Sequence, residues 1–413
     1  MHVLVTGGAG YIGSVLAPKL LARGHTVRVL DRLFWGVPAF AGAPGVEVVN
    51  ADVRRMPAGV LDGIDAVVHL AGFSNDPMSD YNPAANWEMN VTATETLARL
   101  CLRQGVRRFV FGSSCSVYDG SVAAGELADE SASVAPRGAY ATSKYAAERI
   151  LLEAAGAGLE PVLLRQATVF GCSPRMRFDL MVNSFVKDAL LCGRLFVHGG
   201  GWMRRPLVSV GDLADVHVAC LEAPRAAVAG EIFNVVQGNY RVRDVAEQVA
   251  ALLAGAGLPV ELLDAPVPPI VRDYGSAGDK LRKRLPVRLT VSPREGVAEL
   301  IVAHRTFRTE QLVHPRYYNI SWMELLEAVR PAFEAALNIF EPMPPLDFDA
   351  LATAGQPIGA PAAAGPFSSA GGSPAMAMSA RLPEQSAFAV LAAAGVPSTA
   401  VAPDAGREAG PPG

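Results

Sequence analysis

The stretch TGGAGYIG at residues 6–13 decides the fold predicted for this chain. An apolar run over Val3–Thr6 precedes it and predicts a buried strand, and helical spacing of apolar residues follows over Tyr11–Arg23. Glycines between a strand and a helix permit a tight turn and let backbone N–H groups approach a pyrophosphate at the helix N-terminus. The order strand, glycine turn, helix therefore predicts a dinucleotide-binding unit.

Strands and helices continue to alternate after this turn. The predicted strands are Thr26–Leu30, Val46–Asn50, Ala66–Leu70, Arg108–Gly112 and Val162–Arg165. The predicted helices between them include Asn86–Gln104 and Ala141–Ala155. Such alternation is typical of βαβ units that build a parallel sheet. The fold class predicted is α/β, a Rossmann-type doubly wound parallel sheet.

The rhythm changes after Gly171, where turns and short segments mix with further helices. These helices are predicted at Leu180–Leu191, Val210–Glu222 and Val242–Ala254, and a terminal helical extension at Phe307–Arg330. We therefore expect a cofactor domain over residues 1–171, with a sheet to which segments from later in the chain can add. A smaller C-terminal substrate lobe with the helical extension is expected over residues 172–345.

The last part of the chain has a different composition. Residues 350–413 contain 20 Ala, 9 Gly and 9 Pro, and only five charged residues. Such a segment is typical of a flexible low-complexity chain, so a disordered tail is predicted over residues 346–413. A short docking helix at Ser386–Ala394 is the alternative.

Charge and composition narrow the classes of partner. The formal net charge is −4, with no basic excess that would favour nucleic acid or an anionic membrane surface. No uninterrupted apolar stretch reaches the roughly 18 residues of a membrane span. The first residues pass directly into a strand and glycine turn, which is unlike a signal peptide. The five cysteines are widely spaced and odd in number, so no disulfide framework or metal site is expected. Free thiols are typical of a reducing compartment, so a cytoplasmic location is expected.

Acidic residues after two further strands bear on the choice of cofactor. Asp31 ends the second predicted strand, where a carboxylate accepts hydrogen bonds from the adenosine ribose hydroxyls and repels a 2′-phosphate. This position favours NAD over NADP, although Arg32 is placed to receive a 2′-phosphate. Asp52-Val53 follows the third strand as a candidate adenine contact. His69 precedes the small residues 71–72 and is expected to be a structural histidine.

The sequence YATSK at residues 140–144 places a phenol and an ammonium four residues apart, on one face of a helix. A neighbouring cation lowers the pKa of a tyrosine and makes it a usable general base. The serine-rich segment at residues 112–118 follows a strand directly, so that a serine there can hydrogen-bond a reacting hydroxyl.

Together these motifs resemble the extended short-chain dehydrogenases/reductases that act on nucleotide sugars, the NAD-dependent epimerase/dehydratase family. The resemblance spans roughly residues 1–330 and is carried by residues 6–13, 31, 52–53, 69–72, 88–91, 113–118, 140–144 and 205–215. It implies that Ser114, Tyr140 and Lys144 are catalytic. It implies NAD binding by Gly7, Gly10, Tyr11, Ile12, Gly13, Asp31, Arg32, Asp52, Val53, Leu70, Ala71, Gly72, Tyr140, Lys144, Gln166 and Ala167.

For the substrate, the resemblance implies a nucleotide-diphosphate sugar. Arg205 matches an arginine that binds the diphosphate, and Arg272 is a second such candidate; a guanidinium suits phosphate. Asn90 matches an asparagine that supports the active site. The full set of substrate-binding candidates is Ser74, Asn90, Ser114, Thr168, Asn183, Arg205 and Arg272.

Departures from the family pattern narrow the reaction. Dehydratases of the family carry Asp-Glu immediately after the catalytic Ser/Thr, whereas this chain has Cys115 and Ser116. Related decarboxylases share that Glu, which is missing here as well. Cys115 lies one position from the cysteine of related 3,5-epimerases, and is expected to be a packed thiol.

The reaction expected is therefore epimerisation, most simply at C4, through a transient keto sugar. The alternatives are a nucleotide-sugar oxidoreductase or keto-reductase, a dehydratase and, last, a non-enzymatic cofactor-sensing protein. The helices at residues 86–104 and 141–155 resemble the dimer interface of the family, so a homodimer is expected.

Overall fold

The computed structural model describes residues 1–121, 125–267, 272–304 and 306–337. The predicted tail over residues 346–413 and its alternative docking helix lie outside the described residues.

The main sheet has seven strands, all parallel, in the order β11-β7-β5-β4-β1-β2-β3. The strands of the described part of the chain are β1 His2–Thr6, β2 Thr26–Asp31, β3 Val46–Asn50, β4 Ala66–His69, β5 Arg108–Ser114, β6 Leu127–Ala128, β7 Glu160–Gln166, β8 Thr168–Phe170, β9 Arg194–His198, β10 Arg204–Ser209, β11 Glu231–Val235, β12 Gly238–Arg241, β13 Glu261–Ala265 and β14 Gly275–Ser276. The Rossmann-type prediction is thus confirmed. The seventh strand, β11, comes from beyond residue 171, so the first lobe is discontinuous in sequence.

Helices cover the sheet and build the second lobe. They are α1 Gly13–Ala22, α2 Asp76–Tyr81, α3 Pro83–Trp87, α4 Ala93–Gln104, α5 Gly138–Ala155, α6 Met181–Cys192, α7 Val210–Glu222, α8 Arg225–Val228, α9 Val242–Gly255, α10 Asp279–Arg284, α11 Pro293–His304, α12 Thr309–Leu312 and α13 Asn319–Leu337. Helices α1 and α7 pack together on one face of the sheet, and α4 and α5 on the other.

The central strands are continuous apolar runs because the sheet is covered on both faces. All four residues of β4 and all seven of β7 are buried. Alternate side chains of these strands enter two separate apolar clusters, one on each face.

Strand order reverses between β1 and β4, and the ends of these strands form the crevice where parallel sheets bind ligands. The carboxyl ends of β5 and β7 lie beside it.

The second lobe contains a three-stranded sheet, β12-β10-β8, and a two-stranded sheet, β13-β9. Helices α6, α9 and α11 pack on them around a separate apolar cluster. Strand β8 follows β7 after a single residue, so the second lobe is joined directly to the edge of the crevice.

Two predicted helices differ from those observed. The helix predicted at Asn86–Gln104 passes through a π-helical turn, Glu88–Thr92, before α4. The extension predicted at Phe307–Arg330 is α12, a 3-10 turn at Pro315–Tyr317 and then α13. Pro315 lacks the N–H that an uninterrupted helix would need, which explains the break.

Candidate active site

A cleft of about 350 Å³ lies at the carboxyl ends of the strands that surround the crevice. Every residue predicted to bind the cofactor lines it, from Gly7 in the glycine turn to Ala167 after β7. The predicted substrate-binding residues Ser74, Ser114 and Thr168 line it too. Residues far apart in the sequence are thus brought together at one edge of the sheet.

The glycine turn leaves room that a side chain would fill. Gly7 has φ of +71°, and a Cβ built there would lie 2.7 Å from the backbone nitrogen of Ala71. A Cβ at Gly13 would lie 2.5 Å from the Cα of Gly8. Since these positions admit only glycine, the backbone of β1, the start of α1 and the end of β4 converge without obstruction. This cradle fits the pyrophosphate of a dinucleotide.

Asp31 lies beside the turn, as the sequence predicts. Its carboxylate accepts hydrogen bonds from the backbone N–H of Ala9 at 3.0 Å and of Leu33 at 2.8 Å. Burial raises its pKa, opposed by these hydrogen bonds. The carboxylate is therefore held in a fixed orientation at the wall of the cleft, where a carboxylate favours ribose hydroxyls over a phosphate.

Arg32, the residue that could have favoured NADP, is engaged elsewhere. Its guanidinium pairs with Asp52 at 3.1 Å and lies 4.2 Å from the ring centroid of Phe34. Asp52 also pairs with Arg54 at 2.7 Å and caps the 3-10 turn at residues 53–55. Burial alone would raise the pKa of Asp52, but the hydrogen bonds and charge of Arg54 lower it.

Tyr140 and Ser114 both line the cleft, where the hydroxyl of Ser114 acts on the phenol of Tyr140. Tyr140 is in the first turn of α5, and Ser114 is the last residue of β5. Burial raises the pKa of the Tyr140 phenol, and the hydrogen bond with Ser114 opposes that rise. Burial is the largest influence on this pKa in the protein without cofactor. The lowering predicted from Lys144 together with a positively charged nicotinamide concerns the NAD-bound enzyme and stays a prediction.

Lys144 lies one turn further along α5 and is 5% exposed. Its ammonium donates to the carbonyl oxygen of Gly112 at 2.9 Å and lies 4.9 Å from the centroid of Phe111. Burial lowers the pKa of Lys144 to about 8, opposed by the charge of Glu148. The ammonium is thus fixed at the cleft wall by the end of β5.

A buried ion pair lies behind Ser114, Tyr140 and Lys144. Arg165 of β7 pairs with Glu148 of α5 at 2.6 Å, and both side chains are almost fully buried. Glu148 accepts a hydrogen bond from Ser113, and Arg165 donates to the hydroxyl of Tyr118 at 2.7 Å. The network ties α5 to β5 and β7, which positions Tyr140 relative to Ser114.

His69 and Cys115, which the sequence predicts to have no catalytic role, are buried and hydrogen-bonded in the structure. His69 is fully buried between the hydroxyls of Thr6 and Thr94, and burial lowers its pKa to about 3. Cys115 is buried with its thiol donating to the carbonyl of Arg165, and burial raises its pKa to about 12. The packed thiol predicted for Cys115 is what the structure shows.

Two predicted substrate-binding residues, Asn90 and Asn183, do not line the cleft. The amide of Asn90 donates to the carbonyl of Phe73 at 3.2 Å and to the hydroxyl of Ser143 at 3.0 Å. The amide of Asn183 bonds the backbone of Gly171 and the hydroxyl of Tyr11. Both are buried braces behind the wall, because their short amides are consumed by neighbouring backbone and side chains.

Arg205 and Arg272 also lie one layer behind the wall. The guanidinium of Arg205 donates to the backbone carbonyls of Arg204 and Arg272 and lies 5.4 Å from the ring centroid of Tyr274. Arg272 pairs with Asp76 and, at 3.6 Å, with Asp119. Tyr274 and Asp76 are the residues that line the cleft at this point.

Sequence reasoning missed several lining residues. They are Phe34, Trp35, Asp76, Arg175, Arg177, Tyr274 and Asn319, among others. Asp76 lies four residues after the predicted cofactor segment at residues 69–72, and this proximity could have indicated that it lines the cleft. Arg175, Arg177 and Asn319 carry no local signal, because they reach the cleft only through the packing of β8 and α13 against the first lobe.

The described residues contain no group of three or more His, Cys, Asp or Glu side chains arranged to hold a metal ion. Within the same residues, no helix is long and apolar enough to cross a membrane.

A parallel sheet of this order, a glycine turn at its switch point and a Ser–Tyr–Lys set on β5 and α5 define an enzyme of the extended short-chain dehydrogenase/reductase class. The model of the NAD dependent epimerase/dehydratase family matches residues 3–236. The chain belongs to this family, and its cofactor is therefore NAD.

Known relatives act on nucleotide sugars. The UDP-glucose 4-epimerase of Streptomyces lividans is 32% identical over 305 residues, which are 67% of this chain and 89% of that protein. The UDP-glucuronic acid decarboxylase 2 of Arabidopsis thaliana is 32% identical over 225 residues, 52% of this chain and 49% of that protein. The structure of Thermus thermophilus UDP-glucose 4-epimerase with NAD has a TM-score of 0.65 and 31% identity, covering 75% of this chain and 100% of that one.

Proposed function

We propose that the protein epimerises a nucleotide-diphosphate sugar, at C4 of the sugar, through a transient keto sugar. The observation that carries this proposal is that Ser114, Tyr140 and, one helical turn further, Lys144 line the same cleft, which fits NAD. The relatives at about 30% identity include enzymes named as UDP-glucose 4-epimerases.

In this proposal each residue has a distinct task. Ser114 hydrogen-bonds the reacting sugar oxygen and holds the phenol of Tyr140 against it. Tyr140 takes the hydroxyl proton and returns it when the keto sugar presents its other face. Lys144 supplies positive charge beside the phenol, which favours the phenolate. NAD, when bound, supplies the acceptor and donor of the hydride.

Elimination of water or carbon dioxide requires further acid–base groups. The two positions after Ser114 carry a thiol and a hydroxyl in this chain. The Cys115 thiol is buried and bonded to the backbone, outside the cleft lining. Ser116 lines the cleft but is no proton donor at neutral pH. These features favour epimerisation over elimination of water or carbon dioxide.

One observation supports a second candidate, a dehydratase. The carboxylate of Asp76 lines the cleft and raises the pKa of Tyr140 by its charge, although burial is the larger cause. One of its oxygens is buried without a hydrogen-bond partner. A carboxylate that lines the same cleft as the phenol supplies an acid–base group for a neighbouring sugar carbon, which an elimination would need.

We propose that Arg205 and Arg272 bind the diphosphate of the substrate after leaving their backbone and carboxylate partners. What supports this is their place directly behind Tyr274 and Asp76 in the wall. Ser74 and Thr168 are proposed to contact the sugar because they line the cleft. Asn90 and Asn183 are proposed to act only by holding that wall.

We also propose that the protein is a homodimer and that it is located in the cytoplasm. The proposed domain boundaries are those expected from the sequence. The resemblance of α4 and α5 to the dimer interface of the family supports the dimer. Light scattering of the purified protein tests it, and a monomeric mass would contradict it.

Incubation with UDP-glucose, UDP-galactose and UDP-glucuronic acid tests the reaction. The expected result is interconversion of the first two with no net NADH. Stoichiometric NADH would instead indicate an oxidoreductase, a 4-keto-6-deoxy product a dehydratase, and release of carbon dioxide a decarboxylase.

A further inference from the structure

Arg175 is a buried arginine in the wall of the cleft. It follows β8 and is 9% exposed. One terminal nitrogen donates to the side-chain oxygen of Asn319 at 2.6 Å, and the guanidinium lies 3.9 Å from the ring centroid of Trp35. Its Nε is buried and has no hydrogen-bond partner.

The charge of Arg175 is left without a carboxylate partner in the described part of the chain. Asp179 and, less strongly, Asp31 attract Arg175 at longer range. Asp179 is held by Arg177, whose Nε lies 2.8 Å from it, and the two oxygens of Asp31 accept backbone N–H groups. Burial without an adjacent counter-charge disfavours the charged form of a side chain, and burial lowers the pKa of Arg175 to about 9.

The segment that carries Arg175 is tied onto the glycine turn. The hydroxyl of Ser173 donates to the carbonyl of Tyr11 at 2.7 Å. The hydroxyl of Tyr11 donates to the carbonyl of Gly171 at 2.6 Å. Arg175 therefore approaches the cleft from the side of the turn that cradles a pyrophosphate.

We propose that Arg175 binds the pyrophosphate of NAD through its free Nε–H. An anionic phosphate oxygen supplies both the missing hydrogen-bond acceptor and the missing counter-charge. Trp35 and Asn319 hold the guanidinium in place beforehand, so little side-chain entropy is lost on binding. This proposal rests on NAD lying in the cleft, and it is independent of the sugar reaction.

The substrate diphosphate is the other anion that could occupy the site. NAD is favoured because Arg175 lies near the glycine turn. Arg175 packs on Trp35, which is two residues after Leu33. The backbone N–H of Leu33 and that of Ala9 in the turn both donate to the carboxylate of Asp31. The proposed substrate arginines lie instead behind Tyr274, next to Asp119.

Calorimetric titration of NAD-free protein with NAD, ADP-ribose and adenosine tests the proposal. Adenosine lacks the pyrophosphate, whereas the other two ligands carry it. Arg175→Met is expected to weaken NAD and ADP-ribose by about 10- to 100-fold, the range of a charged hydrogen bond, and to leave adenosine unchanged. Arg175→Lys is expected to recover part of the loss, because it keeps the charge.

Arg316→Met is the matched control. Arg316 is an exposed arginine that bonds the carbonyl of Trp35 at 2.9 Å and is absent from the cleft lining. Its loss is expected to change the affinity for ADP-ribose less than twofold, because an exposed charge is screened by solvent. Thermal unfolding of each variant shows whether it is folded.

Several results would overturn the proposal. If Arg175→Met bound ADP-ribose as tightly as the wild-type protein does, the proposal would be wrong. It would also be wrong if the variant lost affinity equally for adenosine, because Arg175 would then act only by packing against Trp35. Weaker UDP binding to the NAD-loaded variant, with ADP-ribose unchanged, would assign Arg175 to the substrate. If the wild-type protein bound neither NAD nor ADP-ribose, the placement of NAD itself would fail.

Discussion

The cofactor half and the substrate half of the cleft are built in different ways. The cofactor half is made largely of short segments at the carboxyl ends of strands β1, β2, β3, β4 and β7, with Tyr140 and Lys144 added by α5. Every residue predicted for it lines the cleft. In the substrate half, Ser74, Ser114 and Thr168 line the cleft, whereas Asn90, Asn183, Arg205 and Arg272 lie behind it.

The difference shows which features of each half can be predicted from local sequence and which depend on tertiary packing. Cofactor recognition depends on backbone at strand ends, and the sheet places those ends once its strand order is set. Substrate recognition depends on long side chains whose partners come from distant elements. Arg272, for example, pairs with Asp76, which is 196 positions away in the chain. The following predictions test this contrast.

The largest effect is expected where the two halves meet, at Tyr140. Tyr140→Phe removes the proposed acid–base hydroxyl and is expected to lower kcat by about 10²- to 10⁴-fold, the range of general acid–base catalysis. Bound NAD, measured after denaturing the protein, is expected to be unchanged. Tyr145→Phe, on the same helix but outside the cleft lining, is the control. A Tyr140→Phe enzyme of normal kcat would contradict the proposed mechanism.

The substrate half is tested by Arg205→Met. Loss of a charged hydrogen bond to the diphosphate is expected to raise KM for the nucleotide sugar by about 10- to 100-fold without changing NAD affinity. Arg204→Met is a matched control, because neighbouring residues of β10 point to opposite faces and Arg204 pairs with Asp273. Equal effects of the two substitutions would count against a substrate role for Arg205.

The cofactor half is tested by Gly7→Ala. A Cβ there meets backbone of Ala71, so the variant is expected to lose about 1–3 kcal/mol of unfolding free energy beyond any loss in the control, Gly24→Ala. Gly24 also has a positive φ, of +79°, but nothing lies within 4 Å of its Cβ position. Denaturant unfolding and NAD titration provide the measurements. Equal destabilisation would show that backbone strain, and not close approach, makes Gly7 necessary.

At neutral pH the smallest effect is expected from two buried histidines, one beneath each half, and this effect grows as the pH falls. Burial lowers the pKa of His69 to about 3 and of His304 to about 4, and the unfolded chain has the ordinary value near 6.5. The unfolded state therefore binds more protons below pH 6.5, and the free energy of unfolding falls as the pH falls. Each histidine contributes a slope of up to about 1.4 kcal/mol per pH unit.

Thermal unfolding between pH 7 and pH 4 measures this slope, and His69→Gln or His304→Gln is expected to reduce it. A slope unchanged in both variants would mean that other groups control acid unfolding.

Much of the cofactor site could be predicted from local sequence. The glycine turn, Asp31 and the residues that end β4 and β5 all line the cleft, because strand ends carry clear local signals. The proposed catalytic residues line it too, since Tyr140 and Lys144 share one helix and Ser114 ends a strand. How deeply the phenol of Tyr140 is buried could not be predicted, because it depends on the surrounding tertiary packing.

Tertiary structure decided what lies around that set. The sequence marked Asn183 as a substrate contact, but packing of α6 against the glycine turn makes it a brace for Tyr11. Arg175 and Asn319 had no signal, since their meeting depends on α13 folding back over the first lobe.

The amino-acid sequence by itself thus determined the parallel sheet, the glycine turn and the strand and helix that carry the proposed catalytic side chains, because each of these elements depends on residues close together in the chain. Only the tertiary structure decided which arginines face the cleft and which are held behind it. Long side chains take their direction from the charges and rings packed against them, and those partners come from elements far apart in sequence.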